Sequence, residues 1–238
     1  MIEAFYSGRA GIKSNQNTLD VISNNISNVN TTAYKTKDSG FSSLLSVSEV
    51  RPETPNSANL LAGSGSKADS VKTDYSQGSL EETDKSTDFY INSDSGFFAV
   101  KDKSGKEYYT KDGSFQIMKT ANGLVLGTSD GMAVLDKSGN AIKISKAGKA
   151  SAEPGVYTFK NTDGLLSAGD SLYVSTNVSG NAAATNMKPE QGMLENSNVD
   201  LATEMVGLIT SQRGYQMSSS VVSTANQVES MINEIGQS

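Results

Sequence analysis

The 238-residue chain reads as an α+β protein, with long N- and C-terminal helices pairing as a coiled coil and a central antiparallel β domain. Two patterns carry that reading. At each end one stripe recurs at heptad spacing: Phe5, Ile12, Leu19 and Ile26 with Ile22 and Val29 in the d places, then Leu201, Met205, Leu208, Gln212, Tyr215 and Val222. Between the ends, short apolar and aromatic runs alternate with glycine turns.

The first helix is expected from about Ile2 to Val29. It stops where Asn24, Asn25, Asn28, Asn30, Thr31 and Thr32 offer side chains that bond to local backbone. For Asn25, Asn28 and Asn30 a helix C-cap and a specific inter-subunit contact are equally good readings. Tyr34 and Lys35 then lead outward, closing a terminal segment at 1–35. Residues 36–76 are rich in Ser, Gly, Asn and Pro, with Pro52, Pro55 and the run Gly63-Ser64-Gly65-Ser66, which marks an extended arm or linker. Phe41, Leu44, Leu45, Val47 and Val50 are too apolar for a fully solvated tether, so the arm is expected to dock on something.

The β domain is expected over 77–180. Its candidate strands are Phe89–Ile91, Phe97–Val100, Tyr108–Thr110, Phe115–Met118, Leu124–Leu126, Ala133–Leu135, Ile142–Ile144, Val156–Phe159 and Leu172–Val174. Six dipeptides, Ser104-Gly105, Asp112-Gly113, Asn122-Gly123, Asp130-Gly131, Ser138-Gly139 and Asp163-Gly164, are expected to supply positive φ for tight reversals, giving a compact meander or small barrel. A linker at 181–198, broken by Lys188-Pro189-Glu190-Gln191-Gly192, precedes the second helix at 199–238, which runs to about Ile235. Asn196, Ser197 and Asn198 are its expected N-caps, with Asp200 and Glu204 in the first turns where the helix dipole favours them. The stripe slips once around Ser218, Ser219 and Ser220, where the Leu201 to Val222 series hands over to Val221, Ala225, Val228, Ile232 and Ile235. Gly207 and Gly214 each weaken the helix by about 1 kcal/mol relative to alanine, which points to close approach of a neighbour.

Composition narrows the function. With no histidine and no cysteine, the commonest general base, the commonest metal ligand and any thiolate chemistry are missing. Twenty basic against 26 acidic residues, scattered in turns, argue against nucleic acid. No run is long and apolar enough for membrane insertion, and Met1–Ala10, carrying Glu3 and Arg9, lacks the pattern of a cleaved signal peptide. The oxygen-ligand series of an EF-hand is absent, and neither a metal nor a cofactor is expected. A wall hydrolase would need a carboxylate pair such as Asp94 with Asp112 or Asp130, but each sits in a turn where aspartate is common for backbone reasons. A secreted β-rich adhesin with helical stalks is the other competing class.

Four blocks carry a family resemblance. Asn24-Asn25-Ile26-Ser27-Asn28-Val29-Asn30-Thr31-Thr32-Ala33-Tyr34-Lys35 resembles the N-terminal motif of bacterial flagellar rod and hook proteins. Gln191-Gly192-Met193-Leu194-Glu195, Asn198-Val199-Asp200-Leu201, Glu204-Met205-Val206 and Gln212-Arg213-Gly214-Tyr215-Gln216 resemble the C-terminal signature in order and spacing. Gln77-Gly78-Ser79-Leu80, and Gly96-Phe97-Phe98 with Tyr109-Thr110-Lys111-Asp112-Gly113-Ser114-Phe115, match internal blocks. Ser27 and Ala33 depart from it, standing where the family usually has Ala and Gly. Chain size and the Gly-rich arm place the chain nearest the distal rod type, with the proximal rod type and a rod-hook variant as alternatives.

The resemblance implies a structural subunit of the flagellar basal body, stacking helically into a hollow axle that transmits torque, with the terminal helices forming the inner tube. Its implied partners are further copies of itself as a homo-oligomer, other rod and hook proteins, and the flagellar type III export apparatus that carries it beyond the cytoplasmic membrane. Two helices alone cannot bury both faces, so they are expected to order fully only on assembly.

Overall fold

A computed structural model of the chain describes residues 2–43, 47–48, 61–62, 66–120, 123–145 and 151–236. Leu44, Leu45, Val50, Pro52, Pro55, the Gly63-Ser64-Gly65 run and Asn122 lie outside the described residues, as does the side chain of Phe41. The architecture is α+β, with two helices and a central antiparallel β domain, and the chain divides into two compact units.

The helical unit takes Met1–Ser27, Lys37–Lys72 and Asp200–Ser238, as far as these are described. Its elements are α1 (Ile2–Ser27), β1 (Lys37–Ser43), β2 (Val47–Ser48), β3 (Leu61–Ala62), β4 (Ser66–Thr73) and α2 (Leu201–Ile235). β1 pairs with β4 and β2 with β3, so most of the described part of the arm is two-stranded ribbon. The N-cap of α2 is Asp200, whose carboxylate accepts from the Ala202 and Thr203 amides; it does not fall on Asn196, Ser197 or Asn198. Asp200 holds extended backbone while its oxygens reach the first free N–H groups, and those three residues are committed elsewhere.

The β unit takes Asn28–Thr36 and Thr73–Val199. Its strands are β5 (Leu80–Glu82), β6 (Phe89–Tyr90), β7 (Gly96–Lys101), β8 (Glu107–Thr110), β9 (Gln116–Thr120), β10 (Gly123–Gly127), β11 (Ala133–Val134), β12 (Val156–Thr158), β13 (Leu166–Gly169), β14 (Leu172–Val174), β15 (Ala183–Ala184), β16 (Glu190–Gln191) and β17 (Met193–Glu195). Nine of them form an antiparallel sheet in the order β13-β14-β8-β7-β11-β10-β9, with β12 and β15 branching from β7. β7 is the hub. It pairs with β8 along one edge, and on the other with β12 over Gly96–Phe98 and β11 over Val100–Lys101.

Both faces of β7 are covered. Phe98 and Val100 enter a core with Phe115, Leu126, Val134, Ile142 and Val156, while Phe97 and Ala99 face Tyr109, Leu135, Phe159 and Tyr173. Period-two alternation therefore feeds two apolar layers rather than one wet and one dry face. On the second layer Phe97 meets Tyr75, Phe159 and Tyr173 edge-on, with centroids 5.6–5.7 Å apart.

Several expectations are corrected. In Ile142–Ile144 the two isoleucines are buried and Lys143 is exposed, and the segment makes only isolated bridges. Gly113 and Gly164 are not among the positive-φ residues, whereas Gly105, Gly123, Gly131 and Gly139 are. Gly113 is required by space, since a Cβ there would lie 1.7 Å from Phe89 O. β5, β13, β15, β16 and β17 went unforeseen because Leu-Glu-Glu, Leu-Ser-Ala-Gly, Ala-Ala, Glu-Gln and Met-Leu-Glu lack the β-branched and aromatic residues that signal strands.

Lys111 is buried beside the second layer. Its Nζ donates to Ser93 O at 3.1 Å and lies 5.3 Å from the Phe97 ring centroid. Burial, helped by the nearby Lys35 ammonium, pulls its pKa down to about 8. The folded state releases this proton near pH 8 while the unfolded chain keeps it to about pH 10.5, so stability rises with pH between those values. Above about pH 10 the buried Tyr75 and Tyr173, held protonated by burial, reverse the trend. Urea unfolding is expected to show a gain on the order of 2 kcal/mol from pH 7.5 to 9.5, and Lys111→Met to abolish it; an unchanged slope in the variant would refute this role.

Candidate assembly surfaces

The helical unit is built on a seam of small and polar side chains. A Cβ added at Gly8 would sit 2.7 Å from Val222 Cγ2, one at Gly11 2.8 Å from Ser218 Oγ, one at Gly214 2.6 Å from Asn15 Oδ1, and one at Gly207 3.2 Å from Ile22 Cδ1. Asn25 Nδ2 donates to Glu204 Oε1 at 2.9 Å. As numbers rise along α1 the partners fall along α2, so the pair is antiparallel. Seam positions 8, 11, 15, 22 and 25 face 222, 218, 214, 207 and 204, in steps of three, four or seven. Gly207 and Gly214 do permit close approach, and the neighbour is α1 of the same chain.

The stripe expected from the sequence lies beside this seam. Ile22 is buried within it, and Val222 packs on Gly8. Phe5, Ile12, Leu19, Ile26, Leu208 and Val228 are half-buried on its flanks. Phe5 and Ile232 meet in a groove of about 650 Å³ that Ala225 and Glu229 also line. Leu201, Met205, Tyr215 and Ile232 are exposed, as are Gln212 and Arg213.

Seen down the helix at 3.6 residues per turn, α2 has a second apolar face roughly opposite the seam. Met205, Val206, Ile209, Met217, Met231 and Ile235 stand there, each more than half exposed. Among described residues of α2 only Ser211 is fully buried. A helix whose small side packs inward and whose large apolar side faces water presents an interaction surface.

Asn25 organises the far end of α1. It is fully buried, its Oδ1 accepting from the Lys37 amide at 3.1 Å and its Nδ2 donating to Lys37 O at 2.8 Å, so the side-chain amide pairs with β1 as a backbone would. Asn24 is exposed and donates to Asp20 O. Asn28 accepts from Thr31 through both backbone and side chain, forming the turn after α1, and Asn30 is exposed.

In the β unit the family-like blocks converge on a buried ion pair. Lys35 Nζ donates at 2.6 Å to both Glu195 Oε1 and Ser76 O, and the Gly78 amide donates to Glu195 Oε1 at 2.8 Å. Asn198 Oδ1 accepts from the Thr36 amide and hydroxyl at 2.7 and 2.8 Å, while its Nδ2 donates to Asp74 O and Ser76 O. Tyr34 is buried, its carbonyl accepting from the Asn198 amide. Gly78 is forced by space, because a Cβ would lie 2.1 Å from Asn196 O. Ala33, standing where the resemblance leads one to expect glycine, is held at φ 53° with its amide donating to Glu195 O at 2.7 Å. Left-handed backbone is free to glycine and strained for alanine.

The aspartates of the hydrolase reading are used structurally or lie on the surface. Asp112 accepts from the Ser114 amide and hydroxyl and from Thr32 Oγ1, tying its turn to the segment after α1. Asp94 and Asp130 are exposed in turns. Lys35, Glu195, Asn198, Gly8, Gly11 and Asn15 were not foreseen as structural keys. For the first three the only sequence signal was membership in a motif, and for the others the matching step of three and four among small residues.

Removing one partner of a buried pair strands the other charge. Lys35→Met is expected to cost roughly 3–5 kcal/mol in urea unfolding, and Lys35→Met with Glu195→Gln less than half of that. A double variant as unstable as the single one would show that the pair is not the source.

Three family models match the chain in succession. Residues 5–35 match the flagella basal body rod protein model, 91–188 the flagellar hook protein FlgE/F/G D1 domain, and 190–235 the flagellar basal body rod FlgEFG protein C-terminal. Flagellar basal-body rod protein FlgG of Bacillus subtilis (strain 168) is 32% identical over 96% of this chain and 97% of its own length. FlgG of Caulobacter vibrioides is 33% identical over 95% and 97%, and the flagellar hook-basal body complex protein FlhP of Bacillus subtilis 31% over 99% and 100%. With the terminal and central motifs matched in order and relatives similar from end to end, this chain belongs to the flagellar basal-body rod protein family, as a structural subunit of the FlgG, distal-rod type.

Proposed function

We propose that the chain self-assembles into the hollow helical axle of the distal rod, carrying torque from motor to hook, and that it performs no catalysis. The observation that carries this reading is the double-faced α2: its small side is taken by α1, and its large apolar side has no cover within the described chain. The occupant is a second copy. The outer face of one copy meets a different face of the next, a heterologous contact that repeats into an open helix rather than a closed dimer.

Three finer features belong to the same proposal. The helix pair winds as a coiled coil of small-residue type, supported by the three-and-four spacing of its seam. Phe5, Ile12, Leu19, Ile22, Ile26, Leu201, Met205, Leu208, Tyr215, Val222, Val228 and Ile232 serve helix packing and assembly together, those on the flanks completing their burial against neighbouring copies. The chain reaches the basal body through the flagellar type III export apparatus, and contacts other rod and hook proteins at the ends of its own segment.

Ile209→Asp tests the face. The side chain is exposed in the single chain, so thermal unfolding is expected to change by no more than about 0.5 kcal/mol, whereas a carboxylate buried between copies loses several kcal/mol of solvation. Negative-stain microscopy should show tubes from the parent chain and none from the variant. Tubes from both at equal concentration would refute the assignment. Far-UV circular dichroism should also rise in helix signal from dilute subunit to tube, and equal signals would refute ordering on assembly.

A further inference from the structure

The outer face of α2 is unusual in what fills it. Met205, Met217 and Met231 are 52%, 66% and 54% exposed, and at 3.6 residues per turn they fall within about a third of the helix circumference. Met132, in the β core, is only 7% exposed. Leucine would give the same apolar face with better rotamer definition, whereas methionine adds a polarisable and oxidisable sulfur. No cysteine competes for oxidant anywhere in the sequence.

We propose that Met205, Met217 and Met231 form a peroxide-sensitive modification site that controls entry of free subunits into the assembly. This rests on the reading of the outer α2 face as the surface buried between copies. The thioether sulfur attacks one oxygen of hydrogen peroxide, the O–O bond breaks, the sulfur gains that oxygen as a sulfoxide, and the remaining oxygen leaves as water with both peroxide hydrogens. Sulfur is oxidised by two electrons and peroxide reduced by two. The product is a polar, strongly hydrogen-bond-accepting group on a surface that must be desolvated to pair, so the oxidised subunit stays unpaired. Once copies have packed, the same sulfurs are covered and the site is closed to oxidant. The modification therefore discriminates free subunits from assembled ones, and a pair of sulfoxide reductases, one for each epimer, reverses it.

The test treats full-length free subunits with dilute hydrogen peroxide, follows the mass gain of each methionine peptide, and then scores tube formation by sedimentation and microscopy. The expected result is oxidation of the three helix methionines at least about tenfold faster than Met132. The oxidised parent should lose tube formation and recover it after treatment with both reductases, whereas a Met205→Leu/Met217→Leu/Met231→Leu variant, scored against its own untreated tube yield, should lose nothing to peroxide. Leucine removes the oxidisable sulfur at similar volume and apolarity. Oxidation of Met132 at the same rate, normal tubes from the oxidised parent, or equal loss in the triple-leucine variant would each overturn the proposal. Untreated parent that forms no tubes overturns the self-assembly reading instead, and that result is scored before any peroxide is added.

Discussion

Two helices from opposite ends of a chain can approach closely only where neither carries a bulky side chain, and the helical unit depends on that constraint. Gly8 against Val222, Gly11 against Ser218, Asn15 against Gly214 and Ile22 against Gly207 leave no room for one more methyl group in most places. Because the seam is thin, the larger apolar residues are pushed to its sides and to the far face of α2. The exposed apolar surface is a geometric result of the close pairing.

The β unit obeys a different constraint. An ion pair as deeply buried as Lys35 with Glu195 persists only if nearly every polar atom around it is satisfied. The Ser76 carbonyl, the Gly78 amide and the Ala33 amide complete the set, and Asn198 stitches the neighbouring backbone. Three stretches far apart in sequence are thereby fixed at one point. Motif residues buried in this way have strict requirements of size and charge.

Much of this was legible beforehand, and unevenly. The two long helices and the strands centred on Phe97, Tyr109, Val125, Val156 and Tyr173 follow from periodicity and β propensity, which local sequence displays directly. The seam was misplaced because heptad reading follows large apolar residues, whereas Gly8, Gly11, Gly214 and Ser218 register only by what they lack. Asn25 read as a possible cap, yet its amide bridges β1 and α2, a role decided by tertiary neighbours that its own segment does not reveal. Lys35 read only as the end of a motif leading outward, since its burial is set by a carboxylate 160 residues further on.

The seam also dictates an order of events. Gly8 and Val222 meet although more than two hundred residues of chain separate them, so α1 leaves the ribosome well before its partner has been made. Contacts of such sequence separation form late, after the loop between them has been closed. While the chain is still being made, the small-residue side of α1 has nothing to pair with, and the double-faced α2 does not yet exist. A chain still being synthesised therefore lacks the exposed apolar face of α2 until that helix has been made.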